Sequence, residues 1–189
     1  MLSKLKIPNK DKTIKELTQT LTQYYIDTFN AACEPDQLSK NKIHDIYICS
    51  WNVDLTLLSQ EEYRCYKPHI PYIETDWWLR SRGYDVQHAC YVKWNTGYVY
   101  GYGAPIDNTL GVRPAIKAHW CNHNNLKPGN KIRVGNKIFT ILSWEEMELF
   151  ALCDDIIARR SFDHYFSIWD DSTLSQWLST EGRNLIFDI

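Results

Sequence analysis

The sequence predicts an α+β fold, a mixed sheet with flanking helices, and three observations carry that prediction. The chain from Trp77 to Trp120 reads as successive strands separated by Gly- and Asn-containing turns. Segments near both ends, "TIKELTQTLTQYYIDTFNAA" and "DDSTLSQWLSTEG", have helical spacing with start signals. The length, 189 residues, suits a single domain over 1–189 that can bury a core without disulfides.

Taken in order, residues 1–12 form a short basic arm with Lys4, Lys6, Lys10 and Lys12, expected to be solvated. Thr13 can cap the first helix, along which Ile14, Leu17, Leu21, Tyr24 and Thr28 recur. "DLTLLS" reads as a strand. "SQEEYRCY" reads as a short helix, because Ser59 and Glu62 have capping-box spacing. "ACYVKWNTGYVYGYG" is strand, turn and strand, with Gly97 supplying the positive φ that such a turn needs. "GVRPAIKAHW" is read as one further strand, with Pro114 at an edge or a bulge.

"KPGNKIRVGNKIFTIL" gives two short strands broken by Gly135. "SWEEMELFALCDDIIARR" is ambiguous, since Ser143 and Glu146 repeat the capping-box spacing whereas the surrounding pattern allows a hairpin. The last helix starts at Asp171 or Ser172 and stops at Gly182.

Composition narrows the function classes. Net charge is −2, which argues against a general nucleic-acid binder. The charge is uneven: residues 1–130 hold 15 basic and 13 acidic residues (net +2), residues 131–189 hold 6 and 10 (net −4). The acidic half includes Asp154, Asp155, Asp170 and Asp171, ordinarily solvated surface, in the sharper reading a docking patch for a basic partner. "MLSKLKIPNKDK" lacks a signal-peptide core and no run has the length of a membrane span, so a cytoplasmic protein is expected. The six cysteines show no C-x-x-C pair and read as free, mostly buried thiols.

One stretch carries a resemblance. Trp77-Trp78-Leu79-Arg80-Ser81, then Ala89 and Val92, Gly97 and Val99, and Gly111-Val112-Arg113-Pro114-Ala115 resemble an uncharacterised bacterial and phage domain family marked by W-W-L-R-S and G-V-R-P-A blocks. That family is similar to C-type-lectin-like and sulfatase-modifying-factor-like folds. The resemblance implies a C-type-lectin-like mixed sheet in which residues 13–120 match the family's second half. Residues 129–189 resemble its first half: "GNKIRVGNKIFTIL", "LFALCDDIIARRSFD" and "WDDSTLSQWL".

Two arrangements account for the reversed order. One is a circular permutation within one domain, with "CNHNNLKPGN" as the joint. The other is a pair of half-domains exchanged between chains. Permutation is the favoured arrangement, and it requires the strand that holds Val112 to share a sheet with the strand that holds Ile138. Both arrangements make "FTIL" and "LFALC" a hairpin joined by "SWEEME".

The candidate residues divide into framework and recognition. Neighbouring strand residues face opposite sides, so Trp77 and Trp78 fit one core only if both faces are covered. Arg80 and Arg113 are expected to be structural, holding carboxylates or loop carbonyls through a guanidinium with several fixed donors. At period two, Tyr98, Tyr100 and Tyr102 share a face, and with Trp94 they form the recognition candidate, unless another element covers them. His119, Cys121 and His123 are weak metal candidates, as zinc-finger spacing is absent, and neither metal nor cofactor is expected.

No P-loop, G-x-S-x-G, H-E-x-x-H or dinucleotide fingerprint occurs, and the cysteine pair of sulfatase-modifying oxidase chemistry does not map onto the chain. The expected function is therefore a non-enzymatic module binding a protein partner, with a phage-encoded inhibitor of a host protein as its specific form. A glycan- or surface-binding lectin-like module is the alternative, and an enzyme of the sulfatase-modifying-factor-like fold the second alternative.

Overall fold

The strand-rich middle of the chain folds into two open sheets. A computed structural model describes residues 42–46, 48, 53–120, 126–145 and 147–187, and these belong to one unit, Leu38–Ile189. The expected N-terminal arm and first helix lie outside the described residues. In chain order the strands are β1 (Ile43–Asp45), β2 (Val53–Thr56), β3 (Trp77–Arg82), β4 (His88–Lys93), β5 (Tyr98–Pro105), β6 (Leu110–Val112), β7 (Ala115–His119), β8 (Lys131–Val134), β9 (Lys137–Glu145), β10 (Glu148–Cys153) and β11 (Ala158–Arg160). The helices are α1 (Gln60–Tyr66), α2 (Thr173–Trp177) and α3 (Arg183–Phe187). Among the described residues no helix is long and apolar enough to cross a membrane.

One sheet has six strands in the order β1-β8-β9-β10-β7-β2, and the other has five, β11-β6-β3-β4-β5. Both are mixed: β1 pairs with β8 and β3 with β6 in parallel, and the remaining pairs are antiparallel. The molecule is therefore α+β and mostly sheet. Trp77, Leu79, Cys90 and Val92 from the five-stranded sheet pack with Ala115, Leu142, Phe150 and Leu152 from the six-stranded sheet in one buried cluster. The opposite face of the five-stranded sheet packs Trp78, Ala89 and Val112 against Phe162 and the α2 residues Leu174 and Trp177. The opposite face of the six-stranded sheet buries Ile116, Phe139 and Ile141 with Ile186 of α3.

Local chemistry accounts for several boundaries. The α1 capping box is complete: Ser59 Oγ accepts the Glu62 N–H at 3.1 Å and Glu62 accepts the Ser59 N–H at 2.7 Å. Gly97 turns the β4–β5 hairpin at φ 60°. The ambiguous "SWEEMELFALC" is a hairpin, with Phe150 opposite Ser143 and a register shift before Ala151. Two-sided burial of Phe139–Leu142 and Leu149–Cys153 outweighs the capping-box spacing at Ser143.

Three expectations are corrected. "GVRPAIKAHW" is not one strand: it breaks at Arg113–Pro114, and β6 and β7 belong to different sheets. Proline offers no N–H to a ladder, while its carbonyl accepts the Cys153 N–H at 2.8 Å, where the chain crosses between sheets. Consequently Val112 lies in the five-stranded sheet and Ile138 in the six-stranded one, so the permuted arrangement does not meet its requirement. Lastly, Gly182 does not stop the final helix. Ser172 caps α2, a π-helical turn spans Leu178–Gly182, and α3 continues from it. Gly182 packs where an added Cβ would meet Leu178 and the Trp177 ring at 3.1 Å, so close approach, not chain reversal, explains it.

Candidate functional site

Among the described residues β5 is an edge strand, and no further strand pairs with it on the side away from β4. Tyr100 and Tyr102 are 47% and 71% exposed. Tyr100 lies opposite Tyr91 on β4, their rings 5.4 Å apart. Pairing then shifts: one residue separates Ala89 from Tyr91 on β4, whereas three separate Tyr100 from Ala104 on β5. Tyr102 sits in that bulge, and its carbonyl accepts the Tyr84 N–H at 3.1 Å. The Tyr100–Tyr102 and Tyr84–Tyr102 ring pairs are each 6.3 Å apart, and Tyr84 lies 4.5 Å from the His88 ring.

Sequence reasoning missed the part of this face that comes from residues 84–86 and 165–168. Ser167 donates its N–H to the Val86 carbonyl at 2.7 Å and its hydroxyl to the Asp85 carbonyl at 3.2 Å. Phe166 and Ile168, the chain neighbours of Ser167, are exposed, as are Tyr84 and Val86, the chain neighbours of Asp85. The loop is held from within: buried Asp163 accepts the Phe166 N–H at 3.2 Å and the Thr173 N–H at 3.3 Å. Burial pushes the Asp163 carboxyl up, but backbone N–H groups of His164, Phe166 and Thr173 outweigh it and leave it below the ordinary aspartate range. The signal available in the sequence was the apolar run "YFSIW" beside acidic residues, which has neither helical nor strand period.

Around Tyr84 the polar groups are paired. His88 Nδ1 stands 2.6 Å from Asp85 Oδ1, and that hydrogen bond holds the Asp85 carboxyl below its usual range. The Tyr84 hydroxyl is pushed up, chiefly by its own bond to Asp85.

The other predicted residues do not all join this face. Tyr98 lies beneath the Lys67 ammonium, 4.3 Å from its ring centre. Trp94 caps the hairpin turn, its N–H bonded to Asp76 at 2.8 Å, and borders a separate cleft. Asp154 is not an open docking residue: its side chain is 13% exposed and accepts from Lys131 at 2.5 Å and Thr140 at 2.6 Å. Asp155, Asp170 and Asp171 are exposed. His119 ends β7 exposed, and Cys121 and His123 lie outside the described residues. Among the described residues no group of three or more His, Cys, Asp or Glu side chains is placed to hold a metal. Cys65 is an exposed free thiol, and Cys90 and Cys153 are buried ones.

Both tryptophans of the W-W-L-R-S block are buried, and both arginines hold carbonyls. Arg80 donates to the Leu57 carbonyl at 3.1 Å and pairs with Glu62 at 2.7 Å. Arg113 donates to the carbonyls of Cys153 at 2.7 Å, Pro71 at 3.0 Å and Asp154 at 3.5 Å, and burial lowers its pKa to about 10.

No protein-family model, curated protein or solved structure matches this chain.

Proposed function

We propose that this protein is a non-enzymatic recognition module that docks a protein partner on the face formed by Tyr84, Tyr100, Tyr102, Val86, Phe166 and Ile168. The observation that carries this reading is the union of an edge-strand aromatic row with a hydrogen-bonded apolar loop, all solvent-exposed. Large exposed apolar patches mark interaction sites, and Tyr contributes contact area with little rotamer entropy to lose. Asp163 and Ser167 hold the loop before binding, which lowers the ordering cost of association. The rings of Tyr100 and Tyr102 are inclined by 51°, and those of Tyr84 and Tyr102 by 58°. Such tilted rings suit the interdigitating side chains of a protein better than the flat stacking of a sugar. The lectin-like fold belongs to the same reading and rests on the W-W-L-R-S and G-V-R-P-A blocks, which supply the buried tryptophans and Arg113.

The test is capture from host lysate with wild type, a Tyr84→Ala/Tyr102→Ala double variant and an Asp171→Asn control. A stoichiometric protein bound by wild type and control but lost by the double variant is expected. Glycan-array binding that Tyr100→Ala abolishes, with no captured protein, overturns the reading in favour of a sugar ligand.

A further inference from the structure

We propose that the cleft beneath the β4–β5 hairpin turn binds a small aromatic carboxylate. The cleft lies apart from the tyrosine face, and its volume is about 210 Å³. A cavity of about 150 Å³ already admits benzene, so a single ring with a short acidic tail fits. Its inner wall is aromatic: Tyr63 and Trp77 meet edge to face at 5.7 Å, and the Tyr63 hydroxyl is committed to the Gly97 carbonyl at 2.8 Å. Tyr72 and Trp94, both well exposed, stand at the mouth.

The charges lining the cleft are both positive. Arg113 lies in its wall with the guanidinium carbon 5.3 Å from the Trp77 ring centre, and only 1% of the residue is exposed. Three of its five N–H groups are used, all on neutral carbonyls, and among the described residues no carboxylate forms an ion pair with it. The acids around it stand outside the lining: the Asp154 carboxylate bonds Lys131 and Thr140 and, with that of the exposed Asp155, acts on Arg113 only through charge, while Asp76 accepts the backbone N–H of Trp94 at the mouth. Lys67, at the rim, rests over Tyr98. An exposed cation–π contact holds by only about 0.5–1 kcal/mol, so an incoming carboxylate can recruit the ammonium. Aromatic walls select a planar apolar body, and two cations with no lining carboxylate select a negative charge on it.

The experiment titrates the full chain with phenylacetate and with neutral phenylacetamide, following tryptophan fluorescence and equilibrium dialysis. Lys67→Glu and Trp94→Ala both change exposed side chains, and near-UV circular dichroism verifies that each folds. Saturable binding of phenylacetate is expected, weakened about tenfold or more by Lys67→Glu and by the amide, since a hydrogen bond to a charged group is worth that much. Trp94→Ala weakens both ligands alike. Absence of saturation up to about 10 mM, or phenylacetate binding that Lys67→Glu and the amide leave within about threefold, overturns the proposal. Neither result bears on the Tyr84–Tyr102 face.

Discussion

Trp77 and Trp78 are consecutive in the chain, yet they anchor different cores on opposite faces of β3. Trp77 meets Tyr63 at 5.7 Å in the cluster between the sheets. Trp78 meets Phe162 at 5.7 Å on the other face, and its indole N–H donates to the Arg160 carbonyl at 2.9 Å. Strand alternation produces this division, and it requires both faces of the five-stranded sheet to be covered.

Either tryptophan replaced by alanine should therefore destabilise the fold by about 3–5 kcal/mol. Trp78→Phe keeps a ring against Phe162 but leaves the Arg160 carbonyl without its donor, at about 1–3 kcal/mol. Urea unfolding measures each. A cost below about 1 kcal/mol for either alanine variant would show that its face is not a packed core.

Glu62 joins the α1 cap to β3, because one carboxylate oxygen takes the Ser59 N–H and the other takes Arg80. Ser59→Ala should cost about 1 kcal/mol. Glu62→Ala should cost more, since it also releases Arg80. A double-mutant cycle between Glu62 and Arg80 should give a coupling of up to about 1 kcal/mol for this partly exposed pair. A coupling of zero would mean that the pair contributes nothing beyond the cap.

Gly135 ties the β8–β9 turn to α3. Its φ is 59°, and the next residue, Asn136, donates its N–H to the Ile186 carbonyl at 2.8 Å. A Cβ at this position would overlap that carbonyl. Gly135→Ala carries both penalties and should lose at least about 2 kcal/mol. Gly135→Asn tolerates the backbone angle but not the overlap, so it should remain destabilised. Recovery to wild-type stability in Gly135→Asn would leave the backbone angle as the sole constraint.

Asp163 makes the exposed loop acid-sensitive. Its folded pKa lies below the unfolded value, so its contribution is fully present above about pH 4 and drains away as pH falls through the lower folded value. Unfolding curves of wild type should therefore lose more stability between pH 5 and pH 2 than those of Asp163→Asn. Parallel loss in the two proteins would remove Asp163 from the acid response.

Elements with local chemistry were legible in the sequence. The capping box at Ser59 and Glu62, the turn at Gly97 and the cap at Ser172 use groups within a few residues of each other. Burial of both tryptophans followed from alternation once two covered faces were assumed. The tyrosine row was legible only in part: period two places Tyr98, Tyr100 and Tyr102 together, but the β5 bulge and Lys67 divide them.

By itself the sequence determined the α+β class, most strand and helix positions and the framework role open to Trp77, Trp78, Arg80 and Arg113, because alternation, capping and turn geometry act over short separations. Only the tertiary structure decided which sheet each strand joins. It split "GVRPAIKAHW" at Pro114, drew Asp154 into a bond with Lys131, and tied Ser167 to the Val86 carbonyl. Those outcomes depend on contacts between residues tens of positions apart, which no local pattern encodes.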